Sequence, residues 1–306
     1  MILKDIVTLV GLRCHENLNI EVDGIATYSE AGESDIAVAF NEKDIDNTLA
    51  QVVLVRPCLH ITDKILIYSF DLERTYMQIA KELVRAGIYP DYSKHVQYTT
   101  QGVVCYGKNI IIGDGSHIGE FSCIGNNVSI GKDCYIGSNV TIGSDVTIGN
   151  NVTIQDGCRI GANAAAFINY NGHRELFPGT RAVLIEDGVT IGYNSMVQRG
   201  VLRDTIIANE THIGDMSAVG HDSRIGASCM IMGQCGIGGN VTIGNGVVIM
   251  GQCGIRDGIT IGDKCSIYGK SAVTKSLKEN EDIYGPYGRS YARELQLQAW
   301  LRRKAR

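Results

Sequence analysis

No basic excess marks this chain: 28 lysines and arginines meet 33 acids for a net charge of −5, so nucleic acid binding has little electrostatic support. No run of about 18 apolar residues occurs, so no transmembrane segment is expected. The first residues carry no long apolar stretch of the kind a secretory leader needs, and a cytoplasmic protein is expected. Among the ten cysteines there is no C-x-x-C pair. A zinc or disulfide role therefore lacks its ligand spacing, and no metal is expected. Cys123, Cys134, Cys158, Cys229, Cys235, Cys253 and Cys265 fall where small or aliphatic residues otherwise stand, and read as reduced core residues. Proline is scarce, at 4, whereas glycine is abundant, at 37, and most of the glycine belongs to a repeat.

That repeat is a comb of isoleucines. From Ile112 to Ile160 every sixth residue is Ile, and from Ile207 to Val273 every sixth is Ile or Val. A helical face repeats near 3.6 residues and a strand near 2, so a sustained period of six means that each sixth side chain returns to an equivalent place in a coil. Ile points inward, the residue two before it (Val128, Val140, Val146) shares the interior, and pairs such as Ser138-Asn139 and Asn150-Asn151 turn the corners, where Gly or Asn adopts φ > 0. Three hexads close a triangular coil. Ile112 to Ile160 make three coils, Ile185 to Val197 about one more, and Ile207 to Val273 four. A single coil cannot bury its apolar face, so the prism is stable only as a stack.

Residues 1–100 carry no hexad and read as a small α/β domain. Helices are expected over Leu3–Leu9 and Glu42–Leu49, an extended segment over Asp23–Phe40, and strands at Val52–Val55 and Ile65–Phe70. Asp71 is placed to cap a helix whose Leu72, Tyr76, Ile79 and Leu83 share one face. Tyr89–Tyr98 reads as a linker, with Pro90 closing the helix. The prism domain spans 101–275 with a loop insertion at 162–183, and 276–306 form a C-terminal helical extension. Arg289, Arg293, Arg302, Arg303, Lys304 and Arg306 face one acid there, Glu294. They suit an acidic carrier protein, cofactor phosphates or simply the helix dipole.

The comb breaks twice, between Ile160 and Ile185 and between Val197 and Ile207. Insertions in a solenoid become projecting loops, where ligands tend to be held, so Phe167, Asn169, Tyr170, Asn171, His173 and Arg174 are candidates for substrate binding. Packing against a neighbouring subunit is the alternative. Of seven histidines, His15, His60 and His95 belong to the N-terminal region and His117 lies far from the breaks. His212 and His221 stand on the stack. His221, two residues past the interior Val219, should project at a corner, where it could take a proton from an attacking amine. Asp222 or Asp215 would orient it, and the backbone N–H of Gly239 would hold an oxyanion.

The stretch Val183–Gly226, with Gln198-Arg199-Gly200, Asp204-Thr205 and the corner His221, closely resembles the UDP-3-O-acylglucosamine N-acyltransferase family of the lipid A pathway, within the left-handed β-helix hexapeptide-repeat acyltransferases. Gly24–Asp44 resembles that family's nucleotide-sugar-binding domain, and Arg74–Leu83 its helix before the prism. The resemblance implies a mainly β fold, a left-handed parallel β-helix with a small N-terminal α/β domain and a C-terminal helix. It also implies His221 as general base, a homotrimer with sites between prisms, a thioester acyl donor on coenzyme A or acyl carrier protein, and no tightly bound cofactor. Substrate contacts are expected at Phe40 and Gln198, and donor contacts at Met232, Met250, Arg289 and Arg293. Val38 and Asp44 stand where the family stacks uracil between aromatic rings, and Gly258 where it carries a further His; Phe40 is the nearest alternative stacking surface. The expected function is N-acylation of a nucleotide-linked amino sugar. Alternatives are a coenzyme A-dependent N-acyltransferase of a dTDP- or UDP-linked deoxy amino sugar, and a non-catalytic trimeric β-helix module. A γ-type carbonic anhydrase fits poorly, because His212 and His221 lack a third histidine partner.

Overall fold

The computed structural model describes residues 1–14, 19–57, 64–88, 104–170, 172–285, 300–301 and 303–304. The hexads build a left-handed parallel β-helix whose strands form three sheets of nine, eight and nine members. The first face runs from Val104–Tyr106 through Ala218–Val219 to Ala272–Val273. The second contains Arg224–Ile225, and the third His212–Ile213. In-register pairing stacks Ile142 on Ile160 and Ile213 on Ile231. The Ile and Val column is almost completely buried, and each such side chain contributes roughly 1.5–3 kcal/mol of burial.

The corners divide the work that the sequence assigned jointly to Gly and Asn. One residue of most corners adopts the left-handed conformation, often Asn or Asp, as at Asn139 (φ 56°) and Asn151 (φ 54°), but also Gly157 (φ 77°) and larger residues such as Phe121 (φ 62°). The Gly after the Ile serves another purpose: a Cβ on Gly131 would stand 2.4 Å from the Gly149 carbonyl oxygen in the next coil. Coil-to-coil side-chain caps recur as well. Asn126 Oδ1 accepts the Lys108 N–H at 2.7 Å, and Asp187 Oδ1 accepts the Asn150 N–H at 2.7 Å.

Cys123, one residue nearer its Ile, is only half-buried and is not a core residue, whereas Cys134, Cys158, Cys229, Cys235, Cys253 and Cys265 occupy the same interior position as Ser217 and Ser223. Their thiols donate to a carbonyl in the next coil as those hydroxyls do: Cys229 Sγ lies 3.0 Å from the Gly244 oxygen and Ser223 Oγ 3.0 Å from that of Gly238. Burial pushes the thiols of Cys158, Cys229 and Cys235 up from their ordinary range.

In the N-terminal domain, helix α1 (Leu3–Val10) precedes the short strand β1 (Arg13–Cys14), which the sequence did not reveal. The extended segment resolves into β2 (Gly24–Thr27) and β3 (Asp35–Val38), followed by α2 (Glu42–Asp46), shorter than expected, β4 (Val52–Val55), β5 (Ile65–Tyr68) and α3 (Leu72–Arg85). The sheet order is β1-β5-β4-β3-β2, parallel except for β1. Asp71 Oδ1 accepts the Arg74 N–H at 3.0 Å, as a cap should. The core of this domain continues into the prism insertions through Ala164, Phe177 and Val201, and the Tyr76 hydroxyl bonds Thr180 Oγ1 at 2.9 Å. An Arg224–Glu30 ion pair spans the same junction. Among the described residues no helix is long and apolar enough to cross a membrane. Arg289 and Arg293 lie outside the described residues, as do most of the C-terminal extension and residues 89–103.

Candidate active site

Both breaks in the comb and His221 fall on one edge of the prism, where the chain passes from the first face to the second. The first break leaves Arg159–Ala162 and rejoins at Val183–Ile185. The second leaves Met196–Gln198 and rejoins at Thr205–Ile207, and His221 lies between Ala218–Val219 and Arg224–Ile225 in the next coil. The first insertion is not an open loop: Phe167–Tyr170 and His173–Leu176 form an antiparallel hairpin. Hairpin, second insertion and N-terminal domain together roof a cleft of about 700 Å³ over this edge. Tyr28, Val38 and Phe40 line its N-terminal wall, with Glu73 from α3. Ala165, Phe167 and Ile168 line the hairpin wall, and His221, Gly239 and Asp257 the prism wall.

His221 is fixed by its neighbour. Its Nδ1 lies 2.6 Å from Asp222 Oδ2. A carboxylate only accepts, so Nδ1 carries the proton and the Nε2 lone pair is left for chemistry; Nε2 has no hydrogen-bond partner among the described residues. Asp222 is buried at a left-handed corner (φ 59°), and its Oδ1 accepts the N–H groups of Val201, Leu202 and Arg203 at 2.9, 2.8 and 2.8 Å. The second insertion thus wraps the carboxylate that orients the imidazole. Arg203 returns a bond from Nε to the Asp222 carbonyl at 2.7 Å. Burial and the nearby Arg224 pull its guanidinium below its ordinary range, against Asp222 and Glu30. Beneath the cleft edge Arg199 is buried, donates to the Ser144 carbonyl at 2.6 Å, and is pushed down to about 9 by burial, with Asp204 opposing.

Gly239 is the floor under the imidazole: a Cβ there would stand 2.5 Å from Nε2. Two expectations require correction. The Gly239 N–H cannot hold an oxyanion, because it donates to Asp257 Oδ1 at 2.7 Å. Asp215 does not orient His221, because it occupies the corner leading into the first face and accepts the Tyr193 N–H at 2.9 Å.

Phe40 lines the cleft and is half exposed. Its N–H donates to Asp44 Oδ2 at 2.9 Å, so the buried Asp44 supports the loop that presents it. Asn169, His173 and Arg174 lie on the exposed hairpin and do not line the cleft; Tyr170 pairs with His173 in its ladder, and Asn171 lies outside the described residues. Gln198 is buried rather than presented, its Oε1 accepting the Ala165 N–H at 3.4 Å at the foot of the hairpin. Met232 and Met250 are exposed on the edge leading into the first face, across that face from His221. Sequence reasoning missed Asp257 and Arg203. A signal for Asp257 was present, since adding one coil of 18 residues to His221 gives Gly239 and a second gives Asp257.

Residues 109–144 match the family model described as bacterial transferase hexapeptide (six repeats). A UDP-3-O-acylglucosamine N-acyltransferase of Rhodopseudomonas palustris (strain BisB5) is 41% identical over 85 residues, 28% of this chain and 23% of that protein. One of Caulobacter sp. (strain K31) is 36% identical over 128 residues, 42% of this chain and 38% of that protein. The chain thus matches only about a quarter to two fifths of the length of these curated relatives. Among solved structures, the UDP-N-acetylglucosamine O-acyltransferase of Moraxella catarrhalis RH4 superposes with a TM-score of 0.52 at 26% identity, covering 57% of this chain and 66% of that one. The UDP-N-acetylglucosamine acyltransferase of Francisella novicida superposes with a TM-score of 0.53 at 23% identity, covering 64% and 72%, and speaks to the fold alone. These matches bear out the resemblance to the hexapeptide-repeat acyltransferases.

Proposed function

We propose that this chain is an acyltransferase that moves an acyl group from a thioester to the amino group of a nucleotide-linked amino sugar. The observation that carries the reading is the Asp222–His221 pair, which turns a free Nε2 into the cleft between prism and N-terminal domain. As the acceptor amine attacks the thioester carbonyl carbon, Nε2 takes its proton. The oxyanion then collapses, the C–S bond breaks, and the imidazolium returns the proton to the leaving thiolate, giving amide and thiol. Asp222 holds the tautomer and offsets the charge that forms on the ring.

The nucleotide's base would stack on Phe40, with Phe167 opposite on the hairpin. The donor's apolar chain would lie against Met232 and Met250, which in a homotrimer would belong to the neighbouring protomer's wall of the site. Arg289 and Arg293 would meet the acidic surface or phosphates of the donor carrier. The position of Asp44 favours a second acceptor: buried beneath Phe40, it offers no stacking surface. A deoxy amino sugar on dTDP or UDP, acylated from coenzyme A, suits a site with one aromatic wall from this domain.

Thiol release should be followed from acyl-coenzyme A and acyl carrier protein with UDP- and dTDP-linked amino sugars. His221→Ala is expected to lower kcat by about 100-fold or more while the fold persists. Equal turnover in parent and variant would remove the mechanism and leave the non-catalytic module as the better reading.

A further inference from the structure

Asp257 caps a corner and is exposed, as such caps are elsewhere, but this one also lines the cleft, two coils along the edge from His221. Between them lies Gly239, which has no side chain to separate them. The imidazole leans over Gly239 from one side, its Nε2 where a Cβ would clash. From the other side Asp257 Oδ1 accepts the Gly239 N–H at 2.7 Å and lies 2.2 Å from where a Cβ on Gly238 would be. Base and carboxylate therefore converge on one glycine, and no ion pair joins them. Beyond them Gly258, in the left-handed conformation, leaves open space.

We infer that the notch between His221 Nε2 and the Asp257 carboxylate is the subsite for the acceptor's amino group, and that Asp257 selects an amine over a hydroxyl. An amine has more than one N–H. One faces Nε2, which removes it during attack, and a second donates to Asp257, which holds the nitrogen in place as the C–N bond forms. A hydroxyl has a single O–H; once that proton faces His221, its lone pairs face a carboxylate that can only accept, which is repulsive. The inference rests on the acyltransferase reading and adds to it the residue that decides between N- and O-acylation.

Asp257→Asn tests it, because Asn keeps the oxygen that accepts the Gly239 N–H, as Asn126 and Asn150 do on other corners, and removes only the charge. Parent, Asp257→Asn and His221→Ala would be compared on UDP- and dTDP-linked amino sugars and on their hydroxyl counterparts, with acyl-coenzyme A and acyl carrier protein as donors. The expected result is a parent that prefers the amine and an Asp257→Asn variant that loses about 10- to 100-fold in kcat/KM on amines. KM for the donor and the unfolding midpoint should stay at the parent's values, while the rate on hydroxyl sugars should rise, because the Asn amide offers an N–H to the oxygen lone pairs that the carboxylate repels. If Asp257→Asn acylates amines as the parent does, Asp257 is a corner cap only and the inference falls while the acyltransferase reading stands. If the parent turns over none of the sugars, or hydroxyl sugars in preference, the reading itself falls and takes the inference with it.

Discussion

The most direct probe of the site geometry is Gly239→Ala, a one-carbon change. The added Cβ would stand 2.5 Å from His221 Nε2, 2.7 Å from Cε1 and 3.0 Å from Cδ2. Ordinary carbon contacts begin near 3.5 Å, so the ring must withdraw by about 1 Å. Its tether is the 2.6 Å bond from Nδ1 to Asp222; a shift of that size carries the pair beyond bonding distance or swings Nε2 away from the acceptor. Misplacement of about 1 Å costs roughly 100-fold in rate, equivalent to about 2.7 kcal/mol of barrier. Stability should hold, because Gly239 lies outside the left-handed region and the group that yields is the end of a side chain, so Ala is neutral or slightly favourable. The control is Gly236→Ala on the same coil, where no atom lies within 4 Å of the added carbon, and parental turnover is expected. Single-turnover thiol release and urea unfolding measure the two quantities. A Gly239→Ala enzyme that folds and turns over at the parental rate would refute the placement of His221 as the base.

Asp222→Ala strands three N–H groups, one buried at Val201 and two partly buried at Leu202 and Arg203. At about 1–3 kcal/mol for each unsatisfied group, a loss of roughly 3 kcal/mol or more is expected from the urea midpoint. Asp222→Asn retains an acceptor oxygen and should lose turnover before it loses stability; equal unfolding midpoints for Asp222→Ala and parent would show that the insertion does not depend on this carboxylate. The buried thiols of Cys158, Cys229 and Cys235 are raised, so the native state holds these protons more tightly than the unfolded chain. Their contribution to stability is complete below the ordinary thiol value of 9.0 and is lost as pH rises above it. Arg199, lowered to about 9, works in the opposite direction over the same alkaline range. The contrast is therefore between parent and Cys229→Ser/Cys235→Ser, in which serine can make the bonds Ser217 and Ser223 already make. Unfolding midpoints from pH 7 to 10.5 should fall less steeply in the double variant, and parallel curves would sink the assignment.

The prism was legible because one side chain type at one spacing fixes it: Ile every sixth residue has a single geometric solution, and Ile142, Ile160 and Ile231 lie where the comb puts them. His221 was legible for a similar reason, as a histidine at a corner next to the breaks. The rest depended on distances that run across the stack. Asp257 is 36 residues from His221 in sequence and two strand spacings from it in space, so no local pattern joins them. In sequence Asp215 and Asp222 are both near His221; in space they occupy different corners, and only Asp222 reaches the imidazole. The insertion was expected as a loop because its Phe167–Leu176 segment lacks the hexad; its hairpin alternation is weak where one side faces solvent and the other the N-terminal domain. Burial of Gln198 follows from the hairpin's return onto the prism, whereas Asp44 is held within its own loop by the Phe40 N–H and the Asn41 amide.

Counting hexads in threes shows why the site stands where it does. Ile160, Val197 and Val219 are each the third strand of their coil, so both departures from the repeat and the corner histidine share one edge by arithmetic. A regular prism presents the same shallow corner on every coil and has nowhere to exclude water. Two insertions on successive coils of one edge give the N-terminal domain something to pack on, and its docking through Phe177 and Val201 makes a roof over the third. The second insertion also folds back to place three N–H groups on Asp222, and Asp222 sets the imidazole. The groups that would do the chemistry are thus held by the segments that break the repeat, while the repeat supplies a floor, Gly239, whose missing side chain lets His221 and Asp257 approach the same point.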